Sequence, residues 1–478
     1  MNFVSLIKWR AKKAPHSPAV IDGDQCFSYT DLWRAISAAG RELQKRGAGV
    51  GGHVLIILPN GVDFLIYHFA AMKIGAVSVP VKPEYREFEL SAIIGNCEPD
   101  VFVTRADWFA ENCGNWLFAS EILFADQIAL DSERVVEEAV VTVRGSNPAS
   151  INYSYFGDGY PKGAVLSHAN HVYAASGYSR FMEFGPHDRF LILLPMSHVF
   201  TLSGCINSAF ITGGCLVMGS GVSPKSILAA VEKFGITILT GVPPIFELLV
   251  GFKRKEKYNL STLHLCVTGG EYMHEEMQAR FEEEYKIRIV QGYGLTESLP
   301  VICNPRRGVN KHGTLGIPGR KDIAIRIVDG TGQALPPEKE GEVKIKSPTN
   351  MLYYCKLPSD TEKILDSEGW LATGDMGSLD ADGYLRFHGL KKNLINMYGN
   401  KVDPLEVRRL MLSHPSVADA KVYLEEEKGN KRELSVKKIC ANIIPIAGSN
   451  PHPAEIAAFM QQKIASYKIP SKMYITPL

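Results

Sequence analysis

Three stretches hold residue types whose spacing could act on a nucleotide. Residues 153–164 read Tyr-Ser-Tyr-Phe-Gly-Asp-Gly-Tyr-Pro-Lys-Gly-Ala. In a loop running from a strand to a helix, Gly157, Gly159 and Gly163 would let backbone N–H groups approach phosphate oxygens, and Lys162 would add a point charge. Taken alone, the stretch also fits an ordinary Gly/Pro turn. Residues 291–298, Gln-Gly-Tyr-Gly-Leu-Thr-Glu-Ser, follow a mostly apolar run at 287–290 that reads as a strand. A strand ending in Gly-x-Gly can present the Thr296 hydroxyl and the Glu297 carboxylate beside a nucleotide and Mg²⁺. Residues 369–375, Gly-Trp-Leu-Ala-Thr-Gly-Asp, fix Asp375 after a Thr-Gly turn, where it can accept two hydrogen bonds from ribose hydroxyls. Each stretch could be a structural turn; all of them together, in this order, are hard to explain that way.

Such residues need a frame, and the periodicity predicts one. Residues 31–46 carry Leu32, Ala35, Ile36 and Leu43 down one side of a helix, with Thr30 as its N-cap. The nearly continuous apolar run 53–58 reads as a buried parallel strand. A helix from about Val62, stopping at Gly75, and a strand at 76–81 complete a βαβ unit. The pattern returns near 100–104 and from Arg189 to a helix after Ser223, with further strands at 236–239 and 263–267. From about Arg320, short alternating strands at 323–328 and 341–345 predict an antiparallel barrel or sheet. After Gly389 a polar crossing leads into helices at 404–412 and 453–464 and strands at 418–424 and 439–444. The charged run 425–432 reads as a solvated hairpin turn. The expected fold is α/β: a large N-terminal domain of βαβ-layered sheets, 1–389, with a small barrel-like β region at about 320–389, and a small α+β C-terminal domain, 390–478, on a hinge.

Composition narrows the function. A length of 478 residues suits about three folding units of roughly 150 residues. The 52 basic and 51 acidic residues leave a net charge of +1, without the broad footprint of a nucleic-acid binder. No apolar run approaches the roughly 18 to 20 residues of a membrane span, and residues 1–13 lack the apolar core of a secretory signal. Nine cysteines without a C-x-x-C pair argue against a disulfide scaffold or a structural zinc site, and a cytoplasmic location is expected.

Taken together, the motifs resemble the adenylate-forming superfamily of acyl-CoA synthetases, aryl-CoA ligases, luciferases and peptide-synthetase adenylation domains. The resemblance runs from Ser28-Tyr29-Thr30 to Tyr467-Lys468-Ile469-Pro470. Its most specific pieces are Tyr-Gly-Leu-Thr-Glu at 293–297, Thr-Gly-Asp at 373–375 and Gly-Tyr-Leu-Arg-Phe-His-Gly at 383–389. It implies an AMP-forming acid–thiol ligase that uses ATP, Mg²⁺ and coenzyme A or phosphopantetheine. An acid attacks the ATP α-phosphate to give acyl-AMP and pyrophosphate, the C-terminal domain swings, and a thiol takes the acyl group. By that resemblance Thr296 and Lys162 hold phosphate, Glu297 holds Mg²⁺, Asp375 holds the ribose and His198 lies beside the carboxylate. Gly157, Gly159, Gly163, Gly270, Glu271, Tyr293, Gly294 and Lys392 line the cofactor site, Asn393 marks the hinge, and Gly399 lines the pantetheine path. Phe200, Gly241-Val-Pro-Pro244 and Gly269-Gly270 would line the acyl pocket. The implied partners are a small carboxylic acid and, as an alternative acceptor, an acyl carrier protein; a homo-oligomer is compatible.

The departures fall on ATP chemistry. The family's Ser-Gly-Ser/Thr-Thr-Gly loop reads Tyr-Phe-Gly-Asp-Gly at 155–159, the family Arg before the hinge is Leu390, and the family's C-terminal catalytic lysine would follow beyond residue 478. Val199 stands where amino-acid activators carry an Asp that pairs with the substrate ammonium, so a fatty or aryl acid is expected. The alternative is a degenerate member that binds acyl ligand or nucleotide without efficient adenylation.

Overall fold

The computed structural model describes residues 1–113, 120–128, 139–155, 157–391, 394–427 and 436–476. Two large sheets organise the N-terminal part. One has nine strands, its centre being six parallel strands: Ile289–Tyr293, Leu265–Thr268, Ile238–Gly241, Arg189–Ile192, Cys215–Met218 and Pro18–Asp22, in that spatial order. The other has seven, with Pro148–Tyr155, Val77–Pro80, His53–Ile56, Val101–Thr104 and Glu121–Phe124 parallel at its centre. Helices Tyr29–Lys45, Val62–Lys73 and His168–Phe181 lie between the sheets, sharing one core with Val54 and Val103 of the second and Phe190 and Val267 of the first. Every residue from Phe64 to Lys73 is buried, as a helix covered on both sides requires. Leu191 points the other way, into a separate core beneath the helices Pro224–Phe234 and Glu275–Tyr285.

The helix entry at 28–31 differs from expectation. Ser28, not Thr30, is the N-cap, because Asp31 three residues on completes a capping box with it. The β-rich part is an open four-stranded antiparallel sheet, Ala324–Val328, Gly341–Lys346, Trp370–Leu379 and Leu385–Leu390, whose two outer strands do not pair among the described residues. Residues 395–476 contribute to neither large sheet. They form the hairpin Ile395–Met397/Asn400–Val402 and a sheet of Val417–Glu427, Val436–Pro445 and Lys472–Ile475. A core of their own includes Val407, Leu410, Ile443, Ile456 and Met460. The first residues of the charged run extend the strand to Glu427; 428–432 lie outside the described residues. Among the described residues no helix is long and apolar enough to cross a membrane.

Candidate active site

Parallel strands converge at their carboxyl ends, where open α/β sheets bind ligands. Ile289–Tyr293 ends there and delivers the 291–298 motif. Gly294 is required by packing, since a Cβ would lie 2.4 Å from Pro300 Cα. The Tyr293 hydroxyl donates to Asp375 Oδ2 at 2.5 Å, and burial followed by that carboxylate holds the phenol well above its usual pKa. Asp375 is 5% exposed and lies within the strand Trp370–Leu379, which runs through Thr373 and Gly374 where a turn was expected. Its backbone N–H donates to Thr373 Oγ1, which itself donates to Val343 O, so its position is fixed from behind. Gly270, Glu271, Tyr293, Gly294, Asp375 and Leu390 line one cavity of about 650 Å³. Glu271 pairs with Lys437 across this cavity, and its Oε2 is buried without a partner among the described residues.

Glu297, 2% exposed, accepts hydrogen bonds from Ser154 Oγ (2.5 Å) and Tyr354 OH (2.7 Å), both on Oε1. The other oxygen accepts none among the described residues, which leaves it for a cation. No cluster of three or more His, Cys, Asp or Glu is present among the described residues. One carboxylate oxygen without a protein donor among the described residues suits Mg²⁺, which takes one or two carboxylates and fills its remaining positions with phosphate oxygens and water.

The glycine-rich stretch joins two antiparallel strands, Pro148–Tyr155 and Pro161–Ser167, rather than a strand and a helix. Seven consecutive buried residues extend the second strand, and the helix begins only at His168, capped by Ser167. Gly157 (φ 86°) and Gly159 (φ 83°) turn the loop through left-handed conformations. Gly163 lies in the strand instead, where a Cβ would meet Ile151 at 2.6 Å. Asp158 is neutralised by Lys162 at 2.5 Å, and Lys162 also reaches Asp360 at 3.3 Å. The helix Pro404–Leu412 covers the loop: Gly159 N–H donates to Asp403 Oδ2 (2.7 Å), and Arg409 donates to Gly159 O (2.7 Å).

His198 and Thr296 meet in a smaller cavity of about 30 Å³, together with Lys82, Asn152 and Tyr153. Desolvation, reinforced by Lys82 and Lys401, pushes the His198 imidazole down to about 3, so it is neutral. Phe200 begins a π-helical segment, Phe200–Asn207, and lies against Gly269, where a Cβ would come within 3.1 Å of its ring. Gly399 (φ 84°) turns its hairpin against Val242, whose Cγ1 would be 2.7 Å from a Cβ. Beside it, Asn396 donates to Gly270 O and Lys82 donates to Asn400 Oδ1.

Sequence reasoning missed the groups that join the C-terminal residues to this region. Tyr155 donates to Glu406, and Lys468 binds Glu406 (2.8 Å), Glu89 (3.0 Å) and the Tyr155 hydroxyl (3.1 Å). All four are buried. The available signal was the bulky Tyr155 in a stretch read by resemblance as a phosphate loop. Lys392, expected in the cofactor site, and Asn393, expected at the hinge, lie outside the described residues, as does Phe156.

A sequence profile described as AMP-binding enzyme matches residues 7–355. The 4-coumarate–CoA ligase-like 2 protein of Arabidopsis thaliana is 30% identical over 468 residues, covering 92% of this chain and 81% of that protein. The medium-chain fatty-acid–CoA ligase of Escherichia coli (strain K12) is 26% identical, covering 97% and 85% respectively. In fold, the o-succinylbenzoate CoA synthetase of Bacillus subtilis superposes with a TM-score of 0.86 over 98% of this chain and 94% of that one, at 23% identity. The matched profile spans most of the chain and agrees with the motifs gathered around the two cavities: this protein belongs to the AMP-binding enzyme family, the adenylate-forming enzymes its sequence resembles.

Proposed function

We propose that this protein activates a simple carboxylic acid, fatty or aryl, as acyl-AMP and passes the acyl group to the pantetheine thiol of coenzyme A or of a carrier protein. The AMP-forming acid–thiol ligase class follows from the family. The reading of the site is carried by one observation: Tyr293, Gly294 and Asp375 line a cavity of about 650 Å³, and the residues that follow on the same motif lead to Thr296 in the cavity of His198. The first cavity falls within the range of small-ligand sites. Asp375 would hold the ribose, Glu297 a Mg²⁺ ion bound to the phosphates, and the Gly399 hairpin the pantetheine arm. When bound, Mg²⁺ would neutralise phosphate charge. Val199 supports a substrate without an α-ammonium.

The test is AMP release from ATP with a panel of fatty and aryl acids, with and without coenzyme A. Acid-dependent AMP release and thioester formation are expected; AMP release with amino acids alone would overturn the substrate reading. Glu297→Gln is expected to raise the Mg²⁺ concentration needed for half-maximal Mg·ATP binding by about tenfold, since a charge-assisted contact exceeds a neutral one. Calorimetry at several Mg²⁺ concentrations checks this, and an unchanged Mg²⁺ dependence refutes the assignment.

One observation favours a second reading, in which adenylation is inefficient. The phosphate loop is held by the chain's own carboxylates, Asp158 and Asp360 on Lys162 and Asp403 on Gly159. Pyrophosphate–ATP exchange too slow to support thioester formation, with ATP still bound, would select it.

A further inference from the structure

Acyl-AMP formation requires two anions, the acid carboxylate and the α-phosphate, to approach to bonding distance. In a site shielded from water their repulsion is strong and must be offset locally. The small cavity is where His198 and Thr296 meet, and its lining includes one cationic side chain, Lys82. His198 does not share that task, because its imidazole is neutral.

Lys82 is placed by the fold rather than by chance of rotamer. It follows the buried strand Val77–Pro80, and Val81 N–H donates to Ile56 O, continuing the parallel pairing to the carboxyl end of the sheet. Its ammonium donates to Asn400 Oδ1 at 2.6 Å and lies 5.5 Å from the centre of the Tyr467 ring. It therefore stands between the acid and phosphate cavity and the hairpin that carries Gly399. Desolvation, then the ammonium of Lys468, lowers its pKa to about 8, so it remains mostly charged at neutral pH while lightly solvated.

We propose that Lys82 is a catalytic residue of this enzyme, its ammonium contacting the carboxylate and the α-phosphate as they join. The inference rests on the ligase reading above. In the step it assists, a carboxylate oxygen attacks the α-phosphorus, the bond from phosphorus to the bridging oxygen breaks, and pyrophosphate leaves with the electron pair. No proton is transferred, and the ammonium keeps its three. The competing role is structural: Lys82 anchors the hairpin through Asn400 and nothing more.

The test titrates AMP and adenosine separately into the parent protein, K82M, K82R and N400A at pH 7 and fixed ionic strength. Adenosine, which fills the larger cavity without a phosphate, is expected to bind all four alike, showing that the variants are folded. AMP is expected to bind K82M at least about tenfold more weakly than the parent, the size of a lost charge-assisted hydrogen bond. K82R should keep the parent's ratio of AMP to adenosine affinity within about threefold, and N400A should match the parent. Equal AMP affinity in parent and K82M overturns the assignment. So does a ratio lost in K82R as fully as in K82M, or an equal loss in N400A, which would assign Lys82 to the hairpin. A parent that binds neither adenosine nor AMP overturns the ligase reading itself and this inference with it.

Discussion

Lys468→Met is expected to destabilise the protein by about 3–5 kcal/mol, the usual cost of removing one partner from a buried ion pair. Lys468 is 0% exposed and bonded to Glu89 and Glu406, which are equally enclosed. Burial already pushes the Glu406 carboxyl up to about 7 against the pull of Lys468. Without the ammonium, two carboxylates face each other away from water, and one or both must take up a proton. The deficit should therefore shrink as the pH falls, because protonation removes the uncompensated charge. A double variant that adds Glu89→Gln should recover part of the loss. Urea unfolding at pH 5.5 and pH 8 measures both effects; a deficit below about 1 kcal/mol at pH 8 would mean that water reaches the cluster.

The largest expected effect on activity belongs to Asp375→Ala. Two charge-assisted hydrogen bonds to ribose hydroxyls, at about 1.5–3 kcal/mol each, correspond to a loss of roughly 10²- to 10⁴-fold in kcat/KM for ATP. The Tyr293 hydroxyl, now paired with Asp375 at 2.5 Å, would also lose its acceptor. Asp375→Asn keeps an acceptor and should fall between the parent and the alanine variant. A loss below tenfold for alanine would remove Asp375 from the nucleotide site.

The repeating strands and helices were legible because burial dictates their periodicity: 53–58, 76–81 and 404–412 fall on elements whose apolar residues enter a core. The gathering of Tyr293, Gly294 and Asp375 was legible through the family motifs, since spacing alone does not show that 82 residues of chain fold back to bring Tyr293 to Asp375. What escaped were contacts set by tertiary packing. Gly163 looked like a phosphate-loop glycine, but its small size serves Ile151 and Tyr153 in the strand. Asp158 entered the sequence reading only as part of the divergent 155–159 loop; in the fold the Lys162 ammonium four residues on pairs with it. Lys82, Glu89 and Lys468 are ordinary surface types in a sequence, and only the approach of residues 395–476 encloses them.

If the loop takes phosphate as proposed, the hydrogen bond from Gly159 N–H to Asp403 makes the protein its own competitive ligand. A phosphate oxygen can take that N–H only after the Asp403 carboxylate has left it, and Asp403 caps the helix Pro404–Leu412. Anion binding at the loop and docking of that helix are thus linked equilibria with opposite sign. The apparent affinity for a polyphosphate is its intrinsic affinity scaled by the fraction of molecules in which the helix is undocked. By the same reciprocity, rising nucleotide concentration would drive the helix off, and departure of pyrophosphate would let it return. On that proposed site, the concentration of the first substrate, rather than a separate effector, would set the population that can receive the second.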